Sequence, residues 1–499
     1  MKQLTLLFTL CLVLLASCRQ AEVPTQYTDS SQLPKMYPDY VDVTIPVNIA
    51  PLSMELRQQA QDVVVRYAAG GEEIVCGGKK AMPDIDDWKA LASKAAGGDI
   101  TVEVFAKNDD KWTRFKPFAI HVSKDSIDPY ISYRLIAPSY VTYEELTINQ
   151  RCLENYDESV IYNNMLLSVE TDGQCINCHN YQAYNPNRMQ FHARQNHGGT
   201  VVAYDGKVKK VNMKNDSILS AGVYPAWHPW LKLIAYSTNK TMQSFHTRDI
   251  NKIEVLDSQS DLIIYDVDKN EVTNIENDST EFECYPAWSP DGKWLYYVSA
   301  HFEFRDTIPH ETECIMRSKE IKYSIYRKSF NPETMQFGPR EMVFDAASLG
   351  KSATLPRISP DGKYLLFSMG EWGCFHIWHR DADLYMLRLA DNKVWPLTKT
   401  NSPQAESFHN FSSNGKWIIF SSRRNDGDYT RLFFAHVDAD GNTTKAFELP
   451  QQDPDYHRMF MKSYNIPEFM RGPVTIKPQE FADVLSNDNI EPVKYRSKK

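Results

Sequence analysis

The chain lacks an excess of positive charge, an apolar run long enough to cross a bilayer, a second Cys-x-x-Cys and any Gly-x-Ser-x-Gly. With 55 Lys and Arg against 64 Asp and Glu, its formal net charge is −9, which argues against nucleic acid as a partner. The sustained apolar stretch from Leu4 to Ala16 is short of the roughly 20 residues that a membrane helix needs. Without Gly-x-Ser-x-Gly there is no strand–turn–helix to present a nucleophilic serine, and no α/β-hydrolase pattern follows residue 450. Hydrolase chemistry is therefore set aside, and no catalytic residue is assigned. Cys76, Cys152, Cys284, Cys314 and Cys374 stand outside any motif. They are odd in number, so at least one thiol is free and a full disulfide framework is disfavoured.

What is present begins with a leader. Met1-Lys2-Gln3 forms a charged n-region and Leu4 to Ala16 a hydrophobic h-region, so residues 1–17 read as a signal peptide. Leu15-Ala16-Ser17-Cys18 closes it and resembles the lipobox of bacterial lipoproteins. The resemblance implies cleavage before Cys18, diacylation of its sulfur and attachment to a membrane through that lipid. Arg19 and Gln20 stand where lipoproteins retained at the inner membrane commonly carry Asp, which implies the outer membrane, facing the periplasm.

Cys175-Ile176-Asn177-Cys178-His179 carries the most chemistry. Two cysteines separated by two residues and followed at once by histidine form the attachment sequence of c-type haem. The thiols of Cys175 and Cys178 add across the haem vinyl groups, and His179 becomes the proximal iron ligand. Random placement of 9 Cys and 13 His in 499 residues produces this pentamer in roughly 0.4% of shuffled chains. A zinc site would need a second Cys/His pair at short spacing, and a thioredoxin-like pair a strand-to-helix junction of a βαβ unit. Neither context is visible, and the flanking Thr171 to Gln174 and Asn180-Tyr181 read as loop. Haem is attached to c-type cytochromes outside the cytoplasm, so this motif and the leader give one address.

A sixth iron ligand is sought downstream. Asn185-Pro186, then Asn187 to Arg194, then Gly198-Gly199 predict a short helix with Asn as N-cap, Pro in the first turn and Gly past the end. A helix would place Met189 and His192 on one face, so either is a candidate metal ligand. His197, a histidine of the second half and an open site remain alternatives. In the blander alternative Met189 and Phe191 are core and His192 bonds a loop.

Arg19 to Asp39 is polar and carries Pro24, Pro34 and Pro38, so residues 18–40 read as a lipid-anchored tether. Residues 41–135 hold short strand-like runs such as Ile100 to Phe105, interrupted by a helix over Asp84 to Ala96. They are read as a β-sandwich-like domain, with the haem segment following at 136–199. The second half repeats itself. Tyr224-Pro225-Ala226-Trp227 recurs as Tyr285-Pro286-Ala287-Trp288, Leu355-Pro356-Arg357-Ile358 and Phe408-His409-Asn410-Phe411, each followed by a hairpin. Ser289-Pro290-Asp291-Gly292 and Ser359-Pro360-Asp361-Gly362 suit a type I turn. Trp227, Trp288, Ile358 and Phe411 lie 61, 70 and 53 residues apart, which means long loops on some units.

These hairpins resemble the TolB-like β-propeller repeat over residues 200–460. The resemblance implies a mainly β fold with a propeller of five or six blades, completed by weaker strands near Thr200 to Tyr204 and after Phe447. Residues 461–499 remain as a C-terminal extension. Glu371 to His379, aromatic and histidine-rich, is an insertion that either caps the haem or plugs one end of the propeller.

Two functions lead, and a periplasmic oxidoreductase built from haem c and a propeller is a third possibility to which the sequence gives little help. The first is an envelope lipoprotein with one haem c that transfers electrons while the propeller docks a redox partner. The second is a TolB-like binding or assembly protein that engages an envelope protein, with a structural or sensory haem. The whole arrangement also resembles envelope proteins of Bacteroides-like bacteria labelled cytochrome c biosynthesis or TolB-like.

Overall fold

The computed structural model describes residues 21–137, 145–169, 172–305, 307–490 and 492–497, so the expected signal peptide and the lipidation expected at Cys18 lie outside the described residues. The fold is mainly β, built from many sheets. It divides into one unit of Met1–Ser126 with Pro450–Met459 and a second of Ile127–Leu449 with Phe460–Lys499.

In the first unit, alternating apolar residues of Asp62–Ala69 and Gly98–Asn108 form two long antiparallel strands, with Val63, Val65, Tyr67 and Val102 fully buried. Pairing extends through Phe118–Ser123 to Thr44–Pro46 on one side and through Lys111–Arg114 to Thr28–Asp29 on the other. The helix read over 84–96 is found at Ile85–Ala95. The Asp84 side chain caps it by accepting from the N–H groups of Asp86 and Asp87. Its buried stripe of Trp88, Leu91, Ala92 and Ala95 packs on the large sheet. Trp88 meets Tyr67 edge-on at 5.8 Å and donates Nε1–H to the Ile49 carbonyl at 3.1 Å. This helix covers the large sheet where the sandwich reading placed a second sheet, and a separate sheet has three short strands only.

The tether expected over 18–40 is folded from Thr28 onward, because Thr28–Asp29 and Met36–Tyr37 are paired strands. Tyr27 packs edge-on against Phe105 at 5.2 Å, and Asp29 pairs with Arg114 at 2.7 Å. Proline content reported the extended backbone but not these distant partners.

Among the described residues the second unit holds six four-stranded antiparallel sets: four are separate sheets, and two are joined by a parallel bridge between Ser260 and Phe282 into one nine-stranded sheet that also takes in Lys494–Tyr495. Their inner strands are β1 (Gln174–Tyr181), β2 (Val223–Trp227), β3 (Glu281–Trp288), β4 (Ser352–Ile358), β5 (Glu406–Phe411) and β6 (Ser463–Met470). Each packs beside the next, and β6 packs back on β1. The Ser-Pro-Asp-Gly turns form as read: Gly292 N–H donates to the Ser289 carbonyl at 2.9 Å, and Gly292 takes a φ of +60°.

Five sheets run in chain order, but the sixth is stitched from both ends of the unit. There β6 pairs with Tyr130–Ile136, followed by Thr147–Cys152 and Glu158–Asn163. Residues 461–499 are thus no extension: they supply β6 and the helix Pro478–Ser486, whose Phe481, Ala482 and Leu485 join the core beside β1. Residues 127–135, expected in the N-terminal domain, belong to this unit because their strand pairs with β6. The segment 136–199, expected to stand apart as a haem segment, is divided between the first sheet and the sixth.

The predicted helix at 185–194 is instead a strand, Arg188–Gln195. Met189, Phe191 and Ala193 are buried on one face while Gln190, His192 and Arg194 alternate onto the other. This period of two outweighs the capping signal of Asn185 and Pro186.

Candidate functional site

Each inner strand bends at one non-glycine residue with positive φ: Cys178 (58°), Tyr224 (50°), Tyr285 (52°), Leu355 (56°), Phe408 (48°) and Ile466 (53°). In all six sheets the register with the neighbouring strand shifts at that residue. The shift is a β-bulge, which re-aims one side chain. Here all six line one small axial cavity. Each such backbone costs about 1–2 kcal/mol, offset by the flanking ladder.

The haem motif lies in β1, not in a loop. Its end, Cys178-His179-Asn180-Tyr181, takes the same place as Tyr224 to Trp227, Tyr285 to Trp288, Leu355 to Ile358, Phe408 to Phe411 and Ile466-Pro467-Glu468-Phe469. His179 therefore sits where other sheets carry four prolines and His409. Both histidines are buried, and burial pushes each down to about 3, so each is neutral near pH 7. Nε2 of His409 lies 2.7 Å from the Leu355 carbonyl. The carbonyls of Ser132 and Ile466 stand near His179 and favour its charged form, yet neither ring nitrogen meets hydrogen-bond geometry.

Cys175 and Cys178 are buried, free thiols. Burial raises the Cys175 thiol, opposed by the guanidinium groups of Arg134 and Arg194. Arg134, itself buried, donates Nη1–H to the Ile176 carbonyl at 3.2 Å. These donors are the chemical set of a c-type haem, but the packing does not fit a haem. The axial cavity beside Cys178 and His179 holds about 30 Å³, room for a single water, where cofactor pockets take about 300 Å³ or more. Cys175 packs into the core with Tyr181 and Phe191. A cavity of about 650 Å³ is lined by His192 and Arg194 but by none of the three motif residues.

The candidate sixth ligands are not brought together. Met189 has no exposed surface and lies in the core, on the strand face opposite His192. Nδ1 of His192 is 3.1 Å from Thr200 Oγ1, and His197 pairs with Asp488 at 2.8 Å.

Past the bulges the axis widens into a funnel of about 360 Å³. The second residue after each bulge lines it: Asn180, Ala226, Ala287, Arg357, Asn410 and Glu468. The buried Glu468 carboxylate accepts from Asn180 Nδ2 at 3.0 Å and from Asn410 Nδ2 at 2.5 Å. Burial raises its pKa, and the charge of Arg357 opposes that rise. Arg357 is half-buried and makes one hydrogen bond among the described residues, from Nη1 to the Pro356 carbonyl at 3.3 Å. Tyr184, Trp227 and Trp288 form aromatic walls. The Arg471 guanidinium lies over the Tyr184 ring at 5.8 Å.

The opposite end is closed by the insertion at 371–379. Cys374 and Ile377 pack against Tyr285, Leu355 and Phe408. Nδ1 of His376 lies 3.2 Å from Thr354 Oγ1, on the other side of the β4 bulge from Arg357. Nε2 of His379 lies 2.7 Å from the buried Glu254 carboxylate. The core cluster that takes in Cys374 and Ile377 includes none of Cys175, Cys178 and His179.

Arg357, Glu468, Asn180 and Asn410 were not singled out from the sequence. Their shared signal is an equal offset in the repeat, which becomes readable once the Cys178 and Ile466 copies are added to the four evident ones.

No family model matches the chain, and no curated protein matches it. Among solved structures it is similar to a prolyl endopeptidase at 12% identity and TM-score 0.34, over 64% of this chain and 42% of that one. An oligogalacturonate lyase in complex with manganese is similar at 12% identity and TM-score 0.30, over 82% of this chain and 99% of the lyase. A chain of the mitotic checkpoint complex is similar at 10% identity and TM-score 0.31, over 60% of this chain and 90% of that one. The chain thus spans less than half the length of the endopeptidase.

Proposed function

We propose that the second unit is a six-bladed β-propeller whose axial funnel binds a ligand, and that the chain serves as a binding or assembly protein of the cell envelope. One observation carries this reading: the position that lines the funnel in every blade is part of the same repeat that contains Cys178 and His179. A blade role thereby accounts for Cys178 and His179, two of the three motif residues, while the funnel has open volume with a polar floor and aromatic walls. The likeness of the hairpins to TolB-like repeats supports an envelope partner.

A second reading keeps haem c on Cys175, Cys178 and His179, with electron transfer to a redox partner. It is favoured by the neutral His179 imidazole, whose nitrogens have no hydrogen-bond partner among the described residues, beside two free thiols. Denaturing electrophoresis with haem staining separates the two, because thioether bonds survive denaturation. For a haem-free binding protein the band is unstained and no c-type α-band appears on reduction. A stained band that disappears in the Cys175→Ala/Cys178→Ala double variant overturns the haem-free reading and assigns covalent haem to this motif.

The lipobox reading places the chain on a membrane through Cys18. Cys18→Ala is expected to move the protein from the membrane fraction to the soluble envelope fraction. Unchanged membrane association counts against lipidation.

A further inference from the structure

We propose that the axial funnel recognises a carboxylate: the ligand's carboxyl group pairs with Arg357 while its apolar body lies against Trp227, Trp288 and Tyr184. The inference rests on the binding reading and names the ligand class of that same site.

A guanidinium presents five N–H donors in a rigid fork that matches a carboxylate in two parallel bonds. Arg357 spends one of these on the Pro356 carbonyl, at a long 3.3 Å. No carboxylate of the described residues stands within ion-pair distance of it. Glu468, the nearest acidic group of the funnel floor, is tied to Asn180 and Asn410 from the two flanking blades. Each of its oxygens thus accepts from an asparagine, which holds the carboxylate in place beyond ion-pair distance of Arg357. A half-buried cation with vacant donors at the foot of a pocket takes its missing partner from a ligand. Arg471 near the mouth adds a second positive charge to draw an anion inward. The walls are aromatic rings and prolines, which favour an apolar flank beside the carboxyl group.

Such a carboxylate comes either from the C-terminus of a peptide or from a free organic acid. Titration calorimetry on the full-length protein uses three probes: N-acetyl-Ala-Ala-Phe as the free acid, the same peptide as its C-terminal amide, and 3-phenylpropionate. The free acid is expected to bind about tenfold or more tightly than the amide, the scale of a charge-assisted pair. Arg357→Gln should reduce the acid to the affinity of the amide and leave the amide unchanged. Equal affinity of 3-phenylpropionate and the peptide acid assigns a free organic acid, and a peptide preference assigns a C-terminus. Equal binding of acid and amide, or an Arg357→Gln variant that binds the acid as the wild type does, overturns the carboxylate while the funnel remains a binding site. No binding of any probe also overturns the inference, and whether the protein is haem-free is then decided separately by the haem stain.

Discussion

Removal of residues 461–499 is expected to abolish cooperative folding of the second unit. The deletion takes away β6, the inner strand of the sixth sheet, and leaves Tyr130–Ile136 with an unpaired edge facing the axis. It also removes Phe469, Met470, Phe481 and Leu485, each at most 1% exposed, and burying each such side chain contributes about 1.5–3 kcal/mol. The Tyr464 carbonyl, which accepts from Thr430 Oγ1 at 2.7 Å and Ser421 Oγ at 3.0 Å, is lost as well. The apolar loss alone is on the order of 10 kcal/mol, comparable to the whole stability of a typical domain. Soluble yield, thermal melting followed by circular dichroism and limited proteolysis report the outcome. A shortened chain that melts cooperatively at the wild-type temperature would show that these residues are a dispensable extension after all.

Glu283→Gln should stabilise the protein in alkaline solution and leave it nearly unchanged in acid. The Glu283 side chain has no exposed surface, and neither carboxyl oxygen has a hydrogen-bond partner among the described residues. Burial, reinforced by Asp261, Glu276 and Glu281, pushes its pKa up to about 9. Because the folded value is raised, its stabilising contribution is fully present below the unfolded value near 4.5 and is lost as pH rises towards 9. Each pH unit in that window costs about 1.4 kcal/mol. At pH 8 the accumulated cost is on the order of 4 kcal/mol, and the buried amide of the variant gives back part of the gain. Urea unfolding at pH 4.5 and pH 8 should therefore show a stability difference between variant and wild type that opens with pH. The same difference at both pH values would mean that the carboxyl group does not titrate in this window.

The division between what could and could not be read from the residues follows the range of the interactions. The helix at Ile85–Ala95 was legible because its cap, its acidic first turn and its apolar stripe lie within one short segment. Four hairpins were legible for the same reason, and in two of them Ser-Pro-Asp-Gly closes the turn through neighbours. Arg188–Gln195 was misread because the cap signal of Asn185 and Pro186 is local, whereas the strand is stabilised by pairing with β1 and with Gly199–Tyr204. The haem motif was legible as a pentamer, but its burial in an inner strand was not.

By itself, the sequence determined a mainly β chain with a repeated hairpin and one capped helix, because turns, caps and alternation act over a few residues. Only the tertiary structure decided that Ser463–Met470 completes a sheet begun at Tyr130, and that Cys178 and His179 belong to a sixfold bulge. It alone decided that Asn180, Arg357, Asn410 and Glu468 meet in one funnel. Those outcomes depend on pairing and packing between strands far apart in the chain, and no local pattern of residues specifies which distant strand will be the partner.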